Sequence, residues 1–187
     1  MADSRRSLVA EMLRGYAKPG ATMQQQIAMG LAEGRALLHL LLGCGLLCVA
    51  SIPGALEAAA DLPVDDAVSA AVSSRIFGYL IIVPILAYAF TFPLKLVLGG
   101  SGLAIRTAFF WSVLLGGPIA LLLSAMATAA PILPEGTLDF LSSFGFLGWL
   151  WLLAGNLGAA SNARPVRIFV VLGGAFALLV IGFEVAA

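Results

Sequence analysis

The sequence predicts an all-α fold: a polytopic membrane helix bundle of five transmembrane helices, preceded by a cytoplasmic amphipathic helical arm. Three observations carry this expectation. Charged residues divide the chain into five charge-free windows, 36–56, 76–94, 107–134, 140–163 and 168–183. A helix rises about 1.5 Å per residue and hydrocarbon is about 30 Å thick, so roughly 20 apolar residues make one crossing. The charges between the windows also sort by sign. Nine of the ten basic residues (Arg5, Arg6, Arg14, Lys18, Arg35, Lys95, Arg106, Arg164 and Arg167) fall on one side, while Glu57, Asp61, Asp65, Asp66, Glu135, Asp139 and Glu184 fall on the other with Arg75 alone. Finally, 61% of residues are hydrophobic and 11% charged, against about 45–50% and 25% in soluble domains. The net charge of zero conceals this polarity.

Residues 1–34 read as the arm and 35–187 as the membrane domain. Within the arm, 4–17 has the spacing of an amphipathic helix that Ser4 can cap. Leu8, Val9, Met12, Leu13 and Tyr16 share one face, with Arg5, Arg6, Glu11 and Arg14 largely on the other. An apolar stripe beside basic residues suits a helix lying in the membrane interface, so Arg5, Arg6, Leu8, Met12, Leu13 and Arg14 are the candidate contacts with anionic headgroups. Pro19-Gly20 breaks that helix, and Met23, Ile27 and Leu31 mark a second stretch leading through Gly34-Arg35 into the first span. The Ser4–Val9 segment has the look of a twin-arginine export signal. Its context fails, because Glu11, Arg14, Lys18 and Gln24-Gln25-Gln26 precede any apolar run, so a retained anchor is expected. Neither end carries a lipidation motif.

The expected spans are 36–54, 76–97, 107–128, 140–160 and 168–186. The last is short and needs Glu184 at headgroup level. Between the first two, Ala55–Ala60 and Ala67–Ala71 around Asp65-Asp66 suit a short surface helix. Pro84, Pro93 and Pro118 should kink their helices. Lys95, Arg106 and Arg167 lie within a turn of an interface, where long cations snorkel. Gly116, Gly117, Gly155 and Gly158 are candidate helix-packing or partner contacts, since small residues let membrane helices approach closely, and the amide of Asn156 among them suits helix association. Trp111, Trp149 and Trp151 read as anchors or packing residues.

Groups that could do chemistry are few. His39 is the only histidine and reads as a neutral imidazole bonded to a neighbouring helix or headgroup. Cys44 and Cys48 share a helical face and read as inert thiols. No His, Cys and carboxylate set has metal-ligand spacing, no nucleophile has a base, and Gly99-Gly100-Ser101-Gly102 lacks the lysine of a phosphate loop. The sequence therefore points to no enzyme, no cofactor, no metal and no nucleic-acid partner.

Taken in order, several motifs resemble bacterial members of the Yip-domain family, relatives of the Ypt/Rab-interacting membrane proteins. These are Lys18-Pro19, Glu33-Gly34-Arg35-Ala36-Leu37, Gly99-Gly100-Ser101-Gly102 through Arg106 to Phe109-Phe110-Trp111 and Pro118, and Trp149-Leu150-Trp151-Leu152-Leu153-Ala154-Gly155. The resemblance runs from about residue 15 to 183. It implies five spans, a cytoplasmic N-terminus and a role in membrane organisation through protein contacts. The family's Asp-Leu-Tyr-Gly-Pro type of arm signature is not found here, so fold and topology carry over but no functional residue does.

The expectation is a bacterial inner-membrane protein, N-terminus cytoplasmic and C-terminus periplasmic, that acts as an interaction, scaffold or accessory subunit and contacts anionic lipids and other integral membrane proteins or itself. The alternative is a small-solute or ion permease, which needs a water-lined cavity around His39, Asn156 or Lys95. A thiol enzyme using Cys44 and Cys48 stands third.

Overall fold

The computed structural model describes residues 7–128, 134 and 136–186, and their side chains except at 175 and 177–186. Every regular element among them is helical. The arm forms α1 (Leu8–Ala17) and α2 (Pro19–Ala28). The helix expected over 4–17 begins later than its sequence spacing suggests. Ser7 is extended (φ −63°, ψ 144°), and its hydroxyl accepts the Ala10 N–H at 3.3 Å, so Ser7 holds the cap position assigned to Ser4. Ser4, Arg5 and Arg6 lie outside the described residues. Pro19 opens α2 because it has no N–H to give to α1 and keeps Lys18 out of the helical region, at φ −144°. Gly30, at φ +89°, ends the arm in a conformation that side chains resist.

The bundle follows: α3 (Glu33–Ala58), α4 (Val64–Phe77), a π-helical turn (Gly78–Ile82), α5 (Val83–Leu98), α6 (Gly102–Thr128), α7 (Thr137–Ser161) and α8 (Pro165–Ala186). The first, third and fourth expected spans sit inside longer helices. The short surface helix around Asp65-Asp66 is a correction: it is α4, and it continues through the π turn into α5 as one rod, Val64–Leu98. Pro84 gives the reason for the turn. It cannot donate to the Leu80 carbonyl and its ring crowds that group, so the helix widens there rather than stopping. Gly102, expected in a turn, already belongs to α6, leaving Gly99, Gly100 and Ser101 as the connection.

Four stretches are long and apolar enough to cross a membrane: Glu33–Ala58, Val64–Leu98, Gly102–Thr128 and Thr137–Ser161. The chain is a multi-pass membrane protein. The fifth expected span falls in α8, which packs on α7 and is apolar through Pro165–Gly174.

At the centre of the bundle lies α6, with Ile105, Ala108, Phe110, Trp111 and Leu115 fully buried. Its contacts with α3 advance in step from Glu33/Arg106 through Gly43/Leu114 to Leu46/Gly117, so the two helices run in the same direction. Its contacts with α7, Ser112/Asn156 and Gly116/Trp149, run oppositely. Glycine sets these distances. A Cβ on Gly43 would stand 2.8 Å from the Leu114 nitrogen, one on Gly116 2.8 Å from the Trp149 ring, and one on Gly117 2.7 Å from Leu46. At the basic end of the bundle, Arg106 grips both carboxylate oxygens of Glu33 at 3.0 and 2.8 Å and stacks 5.2 Å over Tyr88, joining α3, α5 and α6.

Candidate functional site

The arm docks on the bundle as a helical hairpin. Gly15 is buried against Leu115 and the Trp111 ring, and Met12 and Tyr16 pack into the same cluster with Leu114 and Leu152. The Tyr16 hydroxyl donates to the Leu115 carbonyl at 2.6 Å. Pro118 has no N–H to give the Leu114 carbonyl, the neighbour of the Leu115 carbonyl that takes the Tyr16 hydroxyl. Burial raises the Tyr16 phenol above its ordinary pKa of 10.0, which keeps it a neutral donor. At the hairpin's apex Pro19 sits in the notch that Gly155 opens on α7, where a Cβ would stand 2.9 Å from the proline ring. Met23, fully buried on α2, completes the seal.

Beneath the hairpin runs a seam of polar side chains. Asn156 donates through Nδ2 to Ser112 Oγ at 2.9 Å, Ser112 Oγ donates to the Ala108 carbonyl at 2.8 Å, and the Trp149 indole donates to the Ser112 carbonyl at 2.8 Å. The His39 ring stands edge-on to Trp111, with centroids 4.9 Å apart. Among the described residues, Asn156 Oδ1, Trp111 Nε1, His39 Nδ1 and both amide atoms of Gln26 are buried without a hydrogen-bond partner. Such atoms cost about 1–3 kcal/mol each, and membrane proteins keep them where a polar ligand, water or a second conformation meets them. His39 thus lacks the helix partner its position suggested at Nδ1. A cavity of about 300 Å3 opens beside it, walled by Leu8, Glu11, Gln26, Arg35, Leu38 and His39. Arg35 donates to the Gly30 carbonyl and leaves its Nε unpartnered.

The candidate residues are distributed as follows. Gly116, Gly117, Gly155 and Gly158 all pack inside the molecule, Gly158 against Ala163 and Pro165, and Asn156 joins α7 to α6. In the arm, Met12 faces the bundle, whereas Leu8, Leu13 and Arg14 are exposed. Two features escaped the sequence reading. Gln26 belongs by composition to the polar run Gln24-Gln25-Gln26, yet it lies three residues from Met23 on the buried face of α2, and that spacing is the available signal. The Glu33–Arg106 clamp spans 73 residues and has no local signature. Among the described residues no group of three His, Cys, Asp or Glu could hold a metal ion. Cys44 and Cys48 are buried free thiols.

A second concavity lies within the membrane domain. An apolar groove of about 760 Å3 separates α5 from α7 over the face of α6, lined among others by Leu86, Phe90, Phe109, Ala120, Gly145 and Phe146. Comparison with protein families, with curated proteins and with solved structures finds no match to this chain.

Proposed function

We propose that this chain is a non-enzymatic inner-membrane protein of bacteria that works by contact, as a scaffold or accessory subunit that seats a helix of another integral membrane protein, or of a second copy, in the groove between α5 and α7. The observation that carries the reading is the groove itself. It is large enough for the side chains of a crossing helix, is lined almost wholly by apolar groups, and has on its α6 floor Ala120, a small residue that lets a helix backbone approach. Leu86 and Phe90 on its rim are 61% and 46% exposed. The proposed topology adds α8 as a fifth crossing and, from the sorting of Lys and Arg, a cytoplasmic N-terminus with a periplasmic C-terminus. It accords with the resemblance to Yip-domain proteins, of which we take this chain to be a bacterial member.

The test is gentle detergent extraction of the tagged protein from its native membrane, with mass spectrometry of what remains bound. A stoichiometric partner is expected with the native chain, and its loss with Ala120→Phe, which fills the groove floor. Recovery of the chain alone would overturn the reading and favour the permease alternative, which flux measurements in vesicles then address.

A further inference from the structure

The cavity between the arm and α3 carries an inference separate from the groove. We propose that it binds the headgroup of a zwitterionic aminophospholipid, with the phosphate on Arg35 and Gln26 and the primary ammonium on Glu11. Arg35 enters from α3 and Glu11 from α1, and both wall the same cavity without pairing with each other. One cation facing one anion matches a headgroup of opposite charges better than an anionic one. The Arg35 guanidinium has five donors, of which one hydrogen bond goes to the Gly30 carbonyl. Gln26 is 2% exposed and His39 4%, each with polar atoms that no neighbour meets. A rotation of the Gln26 amide toward the cavity lets its Nε2 donate to a phosphate oxygen, while its Oε1 can accept only from a donor such as the headgroup ammonium.

Position supports a lipid rather than a free solute. Arg35 is the last charge before the apolar run of α3, which places the cavity at headgroup depth. From its wall, Leu38, Leu41, Leu42 and Val49 form an exposed stripe along α3, 53%, 48%, 40% and 57% exposed, on which an acyl chain can lie. A primary ammonium can donate hydrogen bonds to the Glu11 carboxylate, whereas the quaternary ammonium of a choline headgroup has no N–H to give.

The experiment titrates the delipidated full-length protein in detergent with phosphatidylethanolamine, phosphatidylcholine or phosphatidylglycerol of identical acyl chains, counting bound lipid by native mass spectrometry. One phosphatidylethanolamine should bind about tenfold more tightly than phosphatidylcholine. Glu11→Gln should erase that preference without weakening phosphatidylglycerol, and Arg35→Gln should weaken both phosphatidylethanolamine and phosphatidylglycerol. Gln26→Leu should weaken phosphatidylethanolamine yet raise the lipid-free melting temperature, because it removes an orphaned amide. If Arg35→Gln fails to fold for want of its Gly30 contact, the other two variants decide. Equal retention of the ethanolamine and choline lipids, tighter binding of phosphatidylglycerol, or a lower melting temperature for Gln26→Leu would each overturn the proposal. Competition by soluble O-phosphoethanolamine as effective as by the lipid would overturn it in favour of a free metabolite.

Discussion

Of the glycines that pack α3 on α6, Gly43 is the one whose neighbours cannot give way, because its missing Cβ would meet backbone rather than a side chain that can turn aside. Gly43→Val should therefore destabilise the bundle by about 1–3 kcal/mol through overpacking, measured as a loss of melting temperature in detergent. Gly45, two residues on, has open space where its Cβ would be, and Gly45→Val should change little. Tyr16 offers a different test. Tyr16→Phe removes one hydrogen bond and should cost about 1 kcal/mol. Since burial raises the pKa of the phenol, its contribution is whole below pH 10 and is lost as the pH rises through the higher folded-state value. The native arm should loosen under alkali, and the Phe variant should lack that dependence, as followed by tryptic cleavage at exposed Arg14.

At the scale of elements, the arm hairpin hangs on one notch. Gly155→Leu would push Pro19 off α7, so the expected outcome is faster cleavage at Arg14 with the bundle still folded, and protection unchanged would show that the seat is elsewhere. How much of this was legible follows from range. The helices could be read from local apolar runs, and so could the break at Pro19-Gly20, because each is fixed within a few positions; the end of α2 could not, since the spacing of Met23, Ile27 and Leu31 carries the helix past Gly30, where the chain turns. The fusion of α4 to α5 was obscured by Asp65, Asp66 and Arg75, which resemble a loop although they sit on a helix extending past the apolar run. The docking of Tyr16 on Leu115 joins residues 99 apart. Amphipathic spacing identifies the inward face of such a helix but not its partner, so a lipid interface and a protein groove look alike.

For the molecule as a whole, charge sorting makes a prediction that needs no partner. Ser7→Cys and Asp65→Cys should be labelled by a membrane-impermeant thiol reagent from opposite sides of the membrane, and labelling from one side would overturn the topology. The polar seam, by contrast, could not be read as a site. Its members come from α2, α3, α6 and α7, and each taken singly passes for an ordinary packing residue. Gln26, His39, Trp111 and Asn156, one from each of those helices, keep buried polar atoms that no neighbour meets.

The seat of the hairpin apex also orders events during synthesis. Gly20 leaves the ribosome early, but the notch it rests beside is formed by Gly155, 135 positions later in the sequence. At about 5–20 residues per second, the nascent arm waits roughly 7–27 s before its dock exists. Helices α1 and α2 are thus made well before they can settle, and a nascent chain stopped short of α7 presents Met12, Tyr16 and Met23 to whatever chaperone or lipid surface lies at the exit of the insertion machinery.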